Sequence, residues 1–209
     1  MNIGIDITYN PHGGTKTQIE NMVSQFSKLE NIEITIFLTK SNKEIIDGIQ
    51  NNNIKIKKCF LPNLSLPIRI LWQQLILPFH LIINRIDVLF CPGNISPIIS
   101  SAKTVQWIGT IGPFFKEFYE HFNYLNKIKL YLNKIFMISS AYFANAVIFE
   151  SKFTRELFVN KYKIKRHRSH VINIGNDKFY SKALSHKDKK SYNIYSKYFP
   201  YILCVSHLY

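Results

Sequence analysis

Ala146-Val147-Ile148-Phe149-Glu150-Ser151-Lys152-Phe153-Thr154 is the stretch on which the fold turns. Four apolar residues in a row predict a short strand buried on both faces. Ser151 then stands where an N-cap is needed, because its hydroxyl accepts a bond from a free backbone N–H of the first helical turn. The helix predicted from that cap runs to about Tyr162.

The same strand-then-helix unit repeats upstream. Ile3–Ile7 is a β-branched run ending in the turn-forming cluster Tyr9-Asn10-Pro11-His12-Gly13-Gly14, and a helix follows with Ile19, Met22, Val23, Phe26 and Leu29 at helical spacing. Glu33–Leu38 and Ile54–Ile56 are the next strands, with a short helix expected from Lys43 to Gln50. Residues 66–84 predict a helix kinked near Pro78. Asp87–Cys91 is a strand stopped by Pro92-Gly93-Asn94, and Thr104–Ile108 is another that runs into Gly109-Thr110. A long amphipathic helix covers Tyr124 to Ala144, and His170–Ile174 ends the series. Strands that are near-continuous apolar runs, alternating with helices, predict an α/β class with a doubly wound, Rossmann-like parallel sheet over residues 1–175. Residues 176–199 read as a polar linker, and Tyr201–Ser206 is one more buried-strand pattern.

Composition agrees with a packed domain. The chain has 209 residues, 46% hydrophobic and 14% aromatic, which excludes a disordered chain. Cys59, Cys91 and Cys204 are too few and too scattered for a disulfide framework or a cysteine-rich metal site. Each lies in an apolar run, as a small buried hydrophobe would, and a reducing cytosol is the expected compartment. The N-terminus places Asp6 where an export signal needs a basic region. The most apolar stretch, Leu64 to Ile83, is interrupted by Pro67, Arg69, Gln73, Gln74, Pro78 and His80, so it is not expected to span a membrane.

Charge is the outlier, with a formal net charge of +14. Residues 1–100 hold nine basic and seven acidic side chains, whereas residues 101–209 hold eighteen and six. A field of that size favours anionic partners. Lys outnumbers Arg by 22 to five, which also fits AT-rich codon usage. The run from Lys161 through Lys163, Lys165 and Arg166 to Arg168 is open to four readings: a solvated helix end, an anionic membrane surface, nucleic acid or codon bias. The aromatic interleaving of a nucleic-acid platform is poor there.

In an open parallel sheet, ligands bind beyond the carboxyl ends of the strands. Four loops qualify: Gly13-Gly14-Thr15-Lys16, Pro92-Gly93-Asn94, Gly109-Thr110-Ile111-Gly112, and Glu150-Ser151-Lys152-Phe153-Thr154-Arg155, with Arg155 one turn inside the helix. Glycines let backbone N–H groups approach a ligand, and a helix start favours an anion. Neither G-x-G-x-x-G nor a P-loop is present, and an ordinary glycine turn or a simple serine cap fits the same residues. No G-x-S-x-G, H-x-x-x-H or H-E-x-x-H occurs, so no catalytic constellation is assigned.

Several segments, in order, resemble glycosyltransferase family 4, a retaining GT-B group that uses nucleotide-sugar donors. They are Ile3–Asp6 with Gly13-Gly14-Thr15, Leu71–Pro78, Asp87–Asn94, Ala144–Thr154, Val171–Asp177 and Tyr201–Leu208. Ala144–Thr154 is the most specific, being similar to the family's "ADAVIAVSEFT". The chain departs where it has Gly109-Thr110, since members often carry histidine or asparagine after that strand, and where Ile174 replaces the usual asparagine. The resemblance implies an N-terminal, acceptor-side domain, with residues 200–209 starting a donor-binding domain. The family's E-x7-E motif and its basic pair on the donor phosphates belong to that second domain. It follows that this chain is expected to be inactive alone, and a separate chain could supply the rest.

By the same resemblance, Gly13, Gly14, Thr15, Lys16, Asn94, Gly109, Thr110, Ser151 and Arg155 face donor phosphate or acceptor. Lys161, Lys163, Lys165, Arg166 and Arg168 are the membrane-surface candidates. The expected ligands are a nucleotide-sugar and a glycan or lipid-linked acceptor of bacterial surface-polysaccharide synthesis. No metal, other cofactor or nucleic acid is expected. Localisation would be cytoplasmic, peripheral at the inner membrane face. The residues themselves leave open a stand-alone nucleotide- or anion-binding α/β module.

Overall fold

The computed structural model describes residues 1–9, 11, 14–45, 53–59 and 66–175. His12, Gly13, the distal part of the helix expected at 43–50, the linker at 176–199 and the strand expected within 200–209 lie outside the described residues. The sheet and its helices belong to the first of two units into which the chain divides, Met1–Asn173 and Ile174–Tyr209.

Seven parallel strands form one sheet: β1 (Asn2–Ile7), β2 (Glu33–Leu38), β3 (Ile54–Lys58), β4 (Val88–Cys91), β5 (Lys103–Ile108), β6 (Ala146–Phe149) and β7 (Ser169–Val171). Their order is β3-β2-β1-β4-β5-β6-β7. The chain therefore winds outward from β1 in one direction, returns to the centre, and winds outward in the other. The reversal lies between β1 and β4, which pair through Ile3–Val88, Gly4–Leu89 and Ile5–Phe90. This is the doubly wound sheet expected from the alternation of apolar runs and helices.

Side-chain alternation along each strand divides the core. On one face, Ile5, Ile7, Ile34, Ile36, Leu38 and Phe90 pack under Ile19 and Val23 of helix α1 (Gly14–Phe26). On the other, Phe37, Leu89 and Cys91 meet Trp72, Leu77 and Leu81 of helix α2 (Leu66–Ile83). The short helix α3 (Lys116–Glu120) leads into α4 (Tyr124–Phe143), which is followed by α5 (Lys152–Tyr162). Met137, Ala141 and Phe158 of the latter two close over Ile108, Val147 and Phe149. Cys59 and Cys91 are buried free thiols, as their apolar settings predicted.

Helix α2 differs from its expected form. The helix continues through Pro78, and the irregularity lies just before it, as a π-helical turn over Trp72–Ile76. Proline cannot donate to the carbonyl one turn back, and its ring would crowd that carbonyl. Widening the preceding turn, so that Leu77 N–H bonds to Trp72 O, relieves both problems. The polar residues that seemed to interrupt the apolar run mostly face inward: Arg69 and Gln73 are buried. Over its 18 residues the helix is long and apolar enough to cross a membrane, with a mean hydropathy of 1.4. Length and composition alone give that result, and Trp72, Leu77 and Leu81 pack one side of the helix into the core against the sheet.

The α5 unit forms as its cap predicted. Ser151 Oγ accepts from Thr154 N at 3.1 Å, and the two hydroxyls share a bond of 2.9 Å. At its other end Lys163 takes a left-handed conformation, with φ 60°, and turns the chain into a 3-10 turn at Arg166–Arg168. That turn is clamped back to the helix, because Arg166 donates to both Glu156 oxygens at 2.9 and 2.6 Å. Arg155 adds a further bond to Glu156 Oε1 at 2.9 Å.

The hydrogen bonds from Arg166, and then Arg155, hold the Glu156 carboxyl down at about 2. Its folded value lies below the unfolded one, so this clamp stabilises fully above the ordinary carboxylate range and is lost as pH falls towards 2. Glu156→Gln should therefore lower Tm at pH 7 and lose most of that penalty at pH 3. Equal penalties at both pH values, measured by thermal denaturation, would show that the ion pairs contribute nothing.

Candidate functional site

The carboxyl ends of β1 and β4 flank the point where strand order reverses, and the loops leaving them are tied together by buried polar side chains. Asp6, 2% exposed, is the centre of this arrangement. Its Oδ1 accepts from Thr8 N at 3.1 Å and Thr8 Oγ1 at 2.6 Å. Its Oδ2 accepts from Gln73 Nε2 at 2.6 Å. Burial pushes the Asp6 carboxyl up, while Thr8, Arg69 and Gln73 pull it back.

Gln73 sits in the π-helical turn and also donates to Ile95 O at 2.8 Å. Its neighbour Gln74 donates to Ser96 O at 3.1 Å and accepts from Ile98 N at 2.8 Å. The widened turn thus aims two consecutive amides at one task, fixing the loop after β4 against the end of β1. On the opposite face of the sheet Asn42 donates to Ile7 O at 2.8 Å and to Tyr9 O.

Tyr9 lies across this junction. Its ring presses on Gly93 so closely that a Cβ there would stand 2.6 Å from Tyr9 Cδ1. The next residue, Asn94, has φ 67°, a conformation that asparagine tolerates better than most residues. Its Oδ1 accepts from Gly109 N at 2.9 Å and Thr110 N at 3.2 Å. Its carbonyl accepts from the buried Gln106 Nε2 at 2.6 Å. The structure therefore brings three expected site residues, Asn94, Gly109 and Thr110, into direct contact. It also shows that the two loop amides are spent on asparagine.

Gly109 itself makes room for a carboxylate: a Cβ there would stand 2.6 Å from Glu150 Oε1. Burial pushes the Glu150 carboxyl up, and the Trp107 indole N–H, which meets no partner at good geometry, offsets this only in part. Tyr9, Arg69 and Gln73 are site-forming residues that no motif pointed to, and Glu150, expected only as part of the loop before Ser151, joins them. A signal for one of them was present, since Glu150 stands where the family stretch "ADAVIAVSEFT" has valine.

Other expected residues are placed differently. Gly14 and Thr15 open α1 and are exposed at its N-terminus. Lys16 pairs with Glu44 at 3.5 Å and with Glu20 at 3.9 Å, both weak exposed contacts. Ser151 acts as the helix cap, and Arg155 is engaged by Glu156, so the simple capping reading is the one realised. In the basic run, Lys161, Lys163 and Lys165 are exposed. Arg166 is clamped to Glu156, and Arg168 donates to the carbonyls of Ala144 at 2.9 Å and Tyr142 at 3.3 Å. Those two arginines hold the turn together.

The two glycine contacts differ in what must yield. At Gly93 a new methyl meets an aromatic ring enclosed by its surroundings, so Gly93→Ala should cost about 1–3 kcal/mol in urea denaturation. At Gly109 it meets the tip of a flexible side chain, so Gly109→Ala should cost less than about 1 kcal/mol. That variant should also displace Glu150 and return its carboxyl titration, read by carbon-13 NMR, towards the ordinary range. An unchanged Glu150 titration in Gly109→Ala would contradict the packing described.

Comparison with known proteins agrees with this architecture. The family model described as Glycosyltransferase Family 4 matches residues 12–178. No curated protein matches the chain by sequence. Among solved structures, a glycosyltransferase from Rickettsia africae is 15% identical, with a TM-score of 0.53 over 94% of this chain and 49% of its own. HepE of Anabaena, in complex with UDP-glucose, is 15% identical with a TM-score of 0.57, over 95% of this chain and 50% of its own. UGT89C1 of Arabidopsis thaliana, complexed with UDP, is 10% identical with a TM-score of 0.51, over 96% and 55%. The chain thus spans about half the length of these structures, and at such identities the likeness is one of fold, that of GT-B glycosyltransferases. With the family model matched across most of its length, the chain belongs to glycosyltransferase family 4.

Proposed function

We propose that the chain is the acceptor-side half of a sugar transferase that moves a sugar from a nucleotide-sugar donor to a saccharide or lipid-linked saccharide, in bacterial surface-polysaccharide synthesis. The observation that carries this reading is the meeting of the β1, β4 and β5 loops at the strand-order reversal of a family 4 chain. Ligands of open α/β sheets bind at such a point. The complexes of Anabaena HepE with UDP and with UDP-glucose support a nucleotide-sugar as donor. Exposed Gly14 and Thr15, at the start of α1, are suited to approach a donor phosphate.

On this reading the half described binds the acceptor, and transfer also requires a donor-binding half, in the same polypeptide or a separate chain. The chain alone should not transfer sugar from UDP-, GDP- or dTDP-sugars to a lipid extract. The chain joined to the polypeptide encoded directly downstream should do so. Failure of the joined protein with all these donors, or transfer by the chain alone, would contradict the proposal.

A cytoplasmic membrane face is the setting that suits a lipid-linked acceptor. The outer side of α2 supports it, with Ile68, Leu71, Leu75, Phe79, Ile82 and Ile83 all exposed at helical spacing. So does α4, where Leu125, Ile128, Tyr131, Leu132 and Ile135 are exposed beside Lys127 and Lys129. Such faces lie in the headgroup boundary of a bilayer, and nearby lysines add salt-sensitive attraction to anionic lipid. The protein should sediment with phosphatidylglycerol vesicles at low salt and release at high salt. Phe79→Ser with Ile83→Ser should weaken this binding by about tenfold or more. Equal binding to phosphatidylcholine vesicles, or none to either at low salt, would remove the membrane from the account.

A further inference from the structure

Arg69 is a buried cation, 8% exposed, whose guanidinium makes no hydrogen bond or ion pair among the described residues. Its Nε–H is fully shielded and unbonded. The guanidinium stands over the Tyr9 ring, with Cζ 5.8 Å from the ring centroid. Burial pulls its proton affinity down, and the nearby Asp6 carboxylate only partly restores it. Asp6 accepts from Thr8 and Gln73, and among the described residues it forms no close ion pair with Arg69.

A buried charge left in this state is costly, and native structures rarely keep one without a reason. Among the described residues two further buried polar atoms beside it also lack a partner, the Tyr9 hydroxyl and Gln73 Oε1. Gln73 lies one helical turn after Arg69, and Tyr9 bridges from Arg69 to Gly93. The cluster therefore sits where β1 and β4 end, at the strand-order reversal. Its guanidinium offers a planar fork of N–H donors, whose natural complement is a two-oxygen anion.

We propose that Arg69 receives an anionic group, a phosphate or carboxylate, carried by the sugar acceptor. This rests on the acceptor-side reading above and narrows it to acidic or phosphate-bearing acceptors. The Tyr9 hydroxyl supplies a second donor in the same cluster, and Gln73 Oε1 accepts from a ligand hydroxyl.

Nitrogen-15 labelling of arginine in the full chain tests this directly, because a shielded Nε–H exchanges slowly enough to be followed by NMR. Glucose 6-phosphate and glucuronate are titrated beside glucose, and phosphatidylglycerol vesicles beside phosphatidylcholine vesicles. The anionic probes should move the Arg69 Nε–H resonance and raise Tm in proportion to occupancy, and the neutral ones should do neither. A response to the soluble sugars places the anion on the sugar, whereas a response to phosphatidylglycerol alone places it on the lipid carrier. Either outcome upholds the site.

Arg69→Lys should keep the Tm response with about tenfold weaker affinity, having charge without the fork, and Arg69→Gln should lose it. A Tm response that survives in Arg69→Gln, or an Arg69 resonance that no anion moves, would overturn the proposal. The resonance is read in the unaltered protein, so misfolding of a variant does not blunt the test. If transfer fails in the joined protein while anions still bind at Arg69, the transferase reading falls and the anion site stands. If transfer succeeds and Arg69 stays silent, only the anion site falls.

Discussion

The Asp6 carboxylate is the constraint on which the rest of the cleft depends. A charge placed at the end of a central strand and shut away from water must be satisfied by groups that cannot move. Thr8 satisfies it from its own loop and Gln73 from α2, and Gln73 then reaches the loop after β4. One side chain thereby fixes three segments that are distant in sequence: the end of β1, the middle of α2 and the turn before β5. The π-helical turn has a purpose in this light. It accommodates Pro78, and it also carries Gln73 and Gln74, whose amides both bond to the loop after β4.

From that anchor the remaining geometry follows in steps. The fixed β4 loop sets Gly93 against the Tyr9 ring and holds Asn94 in its left-handed conformation. Asn94 in turn gathers the amides of Gly109 and Thr110, which brings the end of β5 alongside, and Gly109 leaves space for Glu150 from the end of β6. Among the described residues two ionisable groups thus stand without ion-pair partners, the buried Arg69 on one side of Tyr9 and the half-buried Glu150 beyond Gly109. Perturbed groups of this kind gather where a protein meets its ligand.

Much of the fold was legible in the sequence because local and global signals agreed. Apolar runs such as Ile34–Leu38 and Ala146–Phe149 have one good solution, a strand covered on both faces, and Ser151 marked the following helix start to the residue. The site was less legible, for a physical reason. Glycines and asparagines in loops advertise themselves by type, so Gly14, Asn94, Gly109 and Thr110 could be named in advance. Arg69 and Gln73 could not, because inside an apolar helix they read as interruptions of a hydrophobic run. Only the packing of α2 on the sheet shows that these polar residues are buried at the ends of β1 and β4 while Leu71, Leu75 and Phe79 face outward. The basic run was the opposite case. Its charge was plain, but the use of Arg166 and Arg168 in holding a turn depends on Glu156 and on two carbonyls that no spacing rule points to.

The central claim is that ligands enter where β1 and β4 diverge. A crystal structure of the protein with glucose 6-phosphate tests it most directly. The account predicts the sugar phosphate over the carboxyl ends of those strands, with its phosphate on Arg69 and its ring bounded by Tyr9, Asn94 and Glu150. A sugar phosphate bound instead along Lys161, Lys163 and Lys165, with the space over β1 and β4 empty, would contradict it.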